Sequence, residues 1–398
     1  MHPSIKNSIN KTRVLQEIRK RNGISRIEIA KILNLDKSTI SKITSDLLEQ
    51  NLILDKKSSE ESTHAGRKRI SLGLNNEYGV VIGIDIQTEY YNVVVINLSG
   101  EMLLNYRERQ PDLDFLDSFD FIIKGTILKC EEKYNNILGI GVGIPGHVDP
   151  KKGIIFQSNP LNITEPLNIY SFIKTKYKYP IYLDNDANCC CWGDLTFRNG
   201  KVNEDFIVAL GEIRSLNRKE QEKRSLVVGL GIVIGGKVHT GINFSAGEFK
   251  SIFWENSQVS QFSISNETAG RIPGDRNKTV NAIEELLKHL ALFSNSFNLT
   301  KVVFAGVFND YKVDITRLLK KEISRNWGYP NDPEVEIIFT PFGDYDVSYG
   351  SAGMVVERIF TLPDITSSDK IEDLAGMDLI NYISNSGNFV SHAESMER

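Results

Sequence analysis

The spacing of apolar residues changes at Tyr78, and no feature of the chain constrains its fold more. Up to Asn75 apolar side chains recur at helical spacing in short runs, followed by two brief strand-like stretches. From Tyr78 onward they gather into buried-type strand runs, VVIGIDI at 80–86 and YYNVVVINL at 90–98, which then alternate with helical segments. One core cannot serve both patterns. The 398 residues suit two or three domains. The sequence therefore predicts a helical head over 1–73, an α/β body over 78–360 and a polar tail over 361–398.

In the head, a helical segment over 8–21 places Val14, Leu15 and Ile18 on one face and ends at Gly23. Ser25 and Glu28 have capping-box spacing for a second helix, whose apolar face is Ile29, Ala30 and Leu33. After the short turn Leu35-Asp36, KSTISKITSDLLEQ places Ile40, Ile43 and Leu47 at helical spacing. This is a helix-turn-helix pattern, in which the second helix enters the major groove by its N-terminus. Lys37, Ser38, Thr39, Ser41 and Lys42 fall where phosphates and base edges would be met. An ordinary three-helix packing unit with a polar face is the plainer alternative. Leu52–Leu54 and ISLGLN at 70–75 predict the strands of a wing. Arg67, Lys68 and Arg69 follow Gly66 at its end, as a minor-groove contact or a basic linker. Residues 1–72 carry 15 Lys/Arg and 8 Asp/Glu, a net of +7 in a chain whose total is −4, leaving −11 for the rest. A basic head on an acidic body suggests that the head meets a polyanion, with a solvated surface as the plainer alternative; together with the helix-turn-helix pattern it makes double-stranded DNA the expected partner.

Hydrophobic content of 40% and charge of 25% describe a globular chain. Its apolar runs are too short to span a membrane, and MHPSIKNSINKTR is no secretion signal, so a cytoplasmic location without a membrane partner is expected. Cys130 and the run Cys189, Cys190, Cys191 have neither zinc nor CxxC spacing and read as buried packing. His147, His239 and His289 have no ligand or triad spacing and read as surface or packing residues.

Four stretches of the body stand in a specific order: GIDI at 83–86, GIGVGIPGHVDP at 139–150, LDNDAN at 183–188 and SAGEF at 245–249. In these the chain resembles the ROK family of repressors, open reading frames and sugar kinases. The resemblance runs from about residue 8 to about 360 and includes the winged head. It implies an actin-like, sugar-kinase (ribonuclease H-like) fold with two lobes around a cleft. It also implies a sugar site: Asn185 and Asp186 match a pair that holds sugar hydroxyls, Glu248 a sugar-binding glutamate, and Gly146 a glycine close to the sugar. In kinases of the family the aspartate is the general base. Without the family, Asp186 could simply cap a helix and Gly146 make a turn.

Departures from the family pattern bear on activity. Kinases of the family read D-x-G-G-T where this chain has Asp85-Ile86-Gln87-Thr88-Glu89. A phosphate cradle needs glycines so that backbone N–H groups can approach its oxygens, and a glutamate repels them. The second phosphate loop is expected as a long charged loop, EIRSLNRKEQEKR at 212–224, and the third glycine-rich stretch reads VVFAGVFND. These changes predict a DNA-binding repressor controlled by a small-molecule sugar, with no cofactor and no enzyme activity. The alternative is an ATP-dependent sugar kinase that keeps Asp186 as base. The family's zinc site is not expected: Ser251 stands at the histidine position and 253–270 contains no cysteine. A homodimer or homotetramer on an inverted repeat is expected. Helices are further expected near 115–134, 167–177, 280–298 and 313–325, and one closes the body over 348–360.

Overall fold

The computed structural model describes residues 3–57, 70–197, 204–215, 224–255 and 260–361. The head comprises α1 (Pro3–Lys20), α2 (Arg26–Leu33), α3 (Lys37–Glu49) and the antiparallel hairpin β1 (Ile53–Lys57) with β2 (Ile70–Leu74). The capping box forms as the sequence predicts: Ser25 Oγ accepts from the Glu28 N–H, and Glu28 accepts from the Ser25 N–H at 2.9 Å. Asn34, in the left-handed region at φ 51°, ends α2 and makes the turn into α3. Leu72 exchanges backbone hydrogen bonds with Gly23 and Ile24, which stitches the wing to the α1–α2 turn. Arg67, Lys68 and Arg69 lie outside the described residues.

The first lobe follows as β3 (Val80–Ile86), β4 (Tyr90–Asn97), β5 (Met102–Arg109), α4 (Phe115–Glu131), β6 (Ile137–Ile144), β7 (His147–Asp149), β8 (Ile154–Gln157), β9 (Leu167–Asn168), α5 (Ile169–Ile173) and β10 (Ile181–Asn185). Its main sheet has the order β10-β6-β3-β4-β5, with β10, β6 and β3 parallel and the β3-β4-β5 meander antiparallel. The three short strands β7-β8-β9 pair beside it. Every residue of β3 is buried: Val80, Ile82, Ile84 and Ile86 share one core with Phe119 and Ile122 of α4, while Val81 enters another. That is why β3 reads as an unbroken apolar run.

The second lobe holds α6 (Asp186–Phe197), β11 (Phe206–Ser215), β12 (Arg224–Ile234), β13 (Lys237–Val238), α7 (Asn266–Ala269), α8 (Arg276–Phe297), β14 (Lys301–Gly306), α9 (Lys312–Arg325), β15 (Glu336–Phe339) and finally α10 (Asp346–Phe360). Its sheet has the order β13-β12-β11-β14-β15. Helices α8 and α9 share a core with one face of this sheet. Helix α6 packs on β11 and β12, α10 packs on β3 and β6, and the two helices pack against each other between the sheets. The core around α10 is continuous with that of the head: Val81, Ala352, Val355 and Ile359 belong to the same cluster as Val14, Ile18 and Leu47.

Two expectations need correction. The helix foreseen over 167–177 is only α5, because Asn168 caps it and the run KTKYKYP ends in Pro180, whose ring disfavours helical geometry before it. Residues 212–215 and Arg224 are strand rather than loop: Glu212 pairs with Val227, Ile213 with Leu226, Arg214 with Ser225 and Ser215 with Arg224. Their charges suggested solvent, but the β-ladder continues through them, and alternation turns Glu212 and Arg214 to one side of the sheet.

Candidate functional site

Strand β10 ends at Asn185 and α6 begins at Asp186, so both residues arrive at the carboxyl edge of a parallel sheet, where ligands bind in open α/β folds. Asn185 Oδ1 accepts from the N–H groups of Ala187 at 2.9 Å and Asn188 at 3.3 Å. Asn185, not Asp186, therefore caps α6. Asn185 Nδ2 donates to the Gly146 carbonyl at 2.8 Å. Gly146 lies at φ 132°, and a Cβ there would run into the Gln157 carbonyl. The IPG turn thus needs glycine on both counts.

Asp186 is buried; its Oδ1 accepts from the Ala187 N–H, and its Oδ2 receives Arg214 Nη2 at 2.8 Å. Arg214 also pairs with Glu212. Asp85 completes the cluster from β3, accepting from Gln87 Nε2 at 2.6 Å and Asn92 Nδ2 at 3.0 Å. Burial pushes the Asp85 carboxyl up to about 7 and that of Glu212 up to about 8, although Gln87 and Arg214 oppose the respective shifts. Burial also works against the charge of Arg214, but Glu212 and Asp186 more than offset it and keep the guanidinium protonated. Three carboxylates around one guanidinium cannot all ionise freely.

Gly146, Asn185, Asp186 and Glu248 all line one cleft of about 2260 Å³, well above the roughly 300–1,000 Å³ of a closed small-ligand pocket. Glu248 projects from the loop after β13. Partial exclusion of water and the facing Asp186 raise its carboxyl above the usual range, and His147 pulls it down. The sequence reading missed Arg214, Glu212 and His147 as cleft residues. The first two were legible in principle, since Glu212 and Arg214 continue the alternation of FIVALG. His147 was not: its ring packs on Phe156 at 4.8 Å and its Nε2 contacts the Asn243 carbonyl, both tertiary contacts.

The elements that face nucleotide in kinases of this fold are filled from within. The Gln87 side chain folds onto Asp85, and Glu89 reaches across the cleft to Arg224 at 2.5 Å. The Gly306 N–H donates to Asp346 Oδ2 at 2.9 Å, and so faces a carboxylate of the chain itself. Ser251, at the family's histidine position, is buried, and no group of three or more His, Cys, Asp or Glu among the described residues could hold a metal.

On the head, Lys37, Ser38, Ser41 and Lys42 are exposed along α3, and the exposed Ser45 extends their face. Thr39 is half-buried. Asp36 caps the helix, accepting from the Thr39 N–H at 2.8 Å, Thr39 Oγ1 at 2.7 Å and Ser38 Oγ at 2.5 Å. These bonds hold its carboxyl far below the usual range. The Ser38 and Thr39 hydroxyls are thus engaged in the cap, while Lys37, Ser41 and Lys42 remain on the open face.

A winged helix-turn-helix joined to two lobes of sugar-kinase type, with a cleft lined by carboxylates and amides, defines the class of this protein. Residues 81–214 match the ROK family and residues 8–61 the MarR family of winged-helix proteins. The chain thus carries a ROK-type region and a MarR-type head. It is 30% identical over 254 residues to a putative xylose repressor of Caldicellulosiruptor sp. (strain Rt8B.4), covering 62% of this chain and 59% of that one. It is 26% identical over 243 residues to the xylose repressor of Bacillus subtilis (strain 168), covering 60% and 59%. The matched region thus spans less than two thirds of these relatives. In structure, a ROK family transcriptional regulator described as a homologue of the Escherichia coli MLC protein aligns with a TM-score of 0.72 at 19% identity, over 96% of this chain and all of that one. A ROK family glucokinase from Streptomyces griseus aligns at 0.53 with 18% identity, over 69% and 99%. No helix among the described residues is long and apolar enough to cross a membrane.

Proposed function

We propose that this chain is a sequence-specific DNA-binding repressor whose cleft takes a monosaccharide effector and does not phosphorylate it. The carrying observation is the state of Asp186. The residue that would act as general base is held by Arg214 at 2.8 Å, with Glu212 beside them and Glu89 at the cleft mouth. A base must be free to take a proton from the attacked hydroxyl, and a triphosphate would meet carboxylates where it needs amides. Sugar hydroxyls suit the same surroundings, because Asp186 and Glu248 accept hydrogen bonds. Binding would draw Asp186 partly from Arg214 and bring Glu248 of the facing loop toward it. Two copies of the head would place two α3 helices in successive major grooves of an inverted repeat, with half-sites about one helical turn apart. The relatives' names make D-xylose the first effector to test.

Retention of Asp186 favours a second reading, a sugar kinase with a DNA-binding head. A mobility-shift titration with the promoter region of the adjacent genes, with and without D-xylose, D-glucose and N-acetyl-D-glucosamine, tests the first. Coupling of about 1–3 kcal/mol would move operator affinity about 5- to 150-fold. ADP release with any of these sugars, lost in Asp186→Asn, would establish the kinase instead. Failure of every sugar to alter operator binding would count against the effector site.

A further inference from the structure

Helices α6 and α10 both end on the DNA-binding head, and their last carbonyls are capped from it. The final turn of a helix leaves carbonyls without intrahelical partners. Here Arg19 Nη2 of α1 donates to the Thr196 carbonyl of α6 at 2.6 Å, and Gln16 Nε2 of α1 donates to the Phe360 carbonyl of α10 at 2.5 Å. The same Arg19 pairs through Nη1 with Glu357 of α10 at 3.1 Å, and its guanidinium lies 4.7 Å from the centre of the Phe360 ring. One side chain of the head thus ties together the ends of two helices that pack on different sheets.

The other end of α6 lies at the cleft, and that of α10 lies beside the end of β14. Helix α6 starts at Asp186, and about 15 Å of helix separates it from Thr196. Helix α10 starts at Asp346, whose carboxylate holds the Gly306 N–H. Between the ends the helices cross in backbone contact: a Cβ on Gly350 would strike the Cys189 carbonyl, and one on Gly193 would lie 3.3 Å from the Gly350 Cα. Phe197 of α6 and Tyr349 of α10 pack beside this close approach, with ring centroids 5.1 Å apart, and each helix carries its own sheet.

We propose that the Arg19–Gln16 clamp of α1 transmits relative motion of α6 and α10 on lobe closure to α3. This rests on the effector reading above only for the identity of the trigger; the transmission path is independent of it. Closure over a ligand at Asp186 displaces the far ends of α6 and α10 relative to each other. Arg19 is bonded to both, so α1 must follow or release one. Because the core of α1 and α3 is continuous with that of α10, a tilt of α1 reorients the recognition helix rather than being absorbed in a flexible joint.

The test is a cycle on the full-length protein, read by operator affinity in a mobility-shift assay. R19M keeps the apolar stem of Arg19 and removes both bonds, and E357Q weakens the clamp with a smaller change should R19M fold poorly. Asp186→Asn perturbs the far end of α6 without any sugar. The expected result is that R19M binds operator within about twofold of the parent when no sugar is present. D-xylose and Asp186→Asn should each shift operator affinity by about fivefold in the parent, and by less than about twofold in R19M. Thermal shift by D-xylose should be the same in both, showing that the cleft still binds. A response to Asp186→Asn but not to sugar, lost in R19M, would support the relay while overturning the sugar reading. Full responses in both R19M and E357Q would overturn the relay. So would a parent protein whose operator affinity moves with neither trigger, and so would loss of operator binding by R19M without sugar, which would make the clamp a structural support of the head.

Discussion

Arg214→Met isolates the electrostatics of the cleft. The pair it breaks is well shielded from solvent, with side-chain exposures of 16% for Arg214 and 8% for Asp186. Removing one member of a buried ion pair costs about 3–5 kcal/mol, since the other is left as an uncompensated buried charge. Burial pushes the Asp85 carboxyl up to about 7 and that of Glu212 up to about 8; Arg214 opposes both shifts, so its loss moves both carboxyls further toward the protonated form and the uncompensated charge falls mainly on Asp186. The lower end, about 3 kcal/mol, is therefore expected. At roughly 2–4 °C per kcal/mol for a domain of this size, the melting temperature should fall by roughly 6–12 °C near pH 7. The sign of the pH dependence follows from linkage. Both carboxyls have folded values above the unfolded values of roughly 4, so the folded state holds their protons more tightly. Their contribution is complete below the unfolded value and is lost as pH rises through about 7 and about 8. The wild-type protein should lose stability over that window, and Glu212→Gln should flatten the loss. Asp186→Asn in the Arg214→Met background should recover much of the deficit, since it removes the charge left without a partner. Thermal denaturation followed by circular dichroism at pH 5, pH 7 and pH 8 measures all of these. A deficit unmoved by Asp186→Asn would show that Arg214 acts by packing alone.

Two other substitutions probe the two ends of the molecule. Gly146→Ala places a Cβ against the Gln157 carbonyl at a backbone angle that L residues rarely adopt. It should destabilise by about 1–3 kcal/mol and abolish the thermal shift by sugar, since the Asn185 amide anchors on the Gly146 carbonyl; an unchanged melting temperature and sugar shift would show that the turn tolerates a side chain. Lys42→Ala should weaken binding to operator and unrelated DNA alike and lower the slope of log affinity against log salt by about 0.9 for each phosphate it no longer neutralises. An unchanged slope would take Lys42 off the DNA face.

Much of this molecule was legible in local sequence. The capping box at Ser25 and Glu28, the apolar faces of the head helices and the unbroken strand of 80–86 are set by neighbours in the chain, and each forms as expected. Gly146, Asn185, Asp186 and Glu248 were recognisable because their motifs recur in order, and the fold brings all four to one cleft. Local reading failed where charge suggested solvent: Glu212 and Arg214 looked like loop residues, yet a β-ladder carries them inward to a counter-ion.

The sequence by itself determined the two units, their local elements and the polar side chains available to a ligand, because periodicity, caps and turns act over a few residues. Only the tertiary structure decided what Asp186 does, since its partner is 28 residues away in the chain and on another sheet. It alone joined Arg19 to Thr196 and Glu357, 177 and 338 positions distant. Contacts of that range follow from how sheets and helices stack, and no local pattern encodes them.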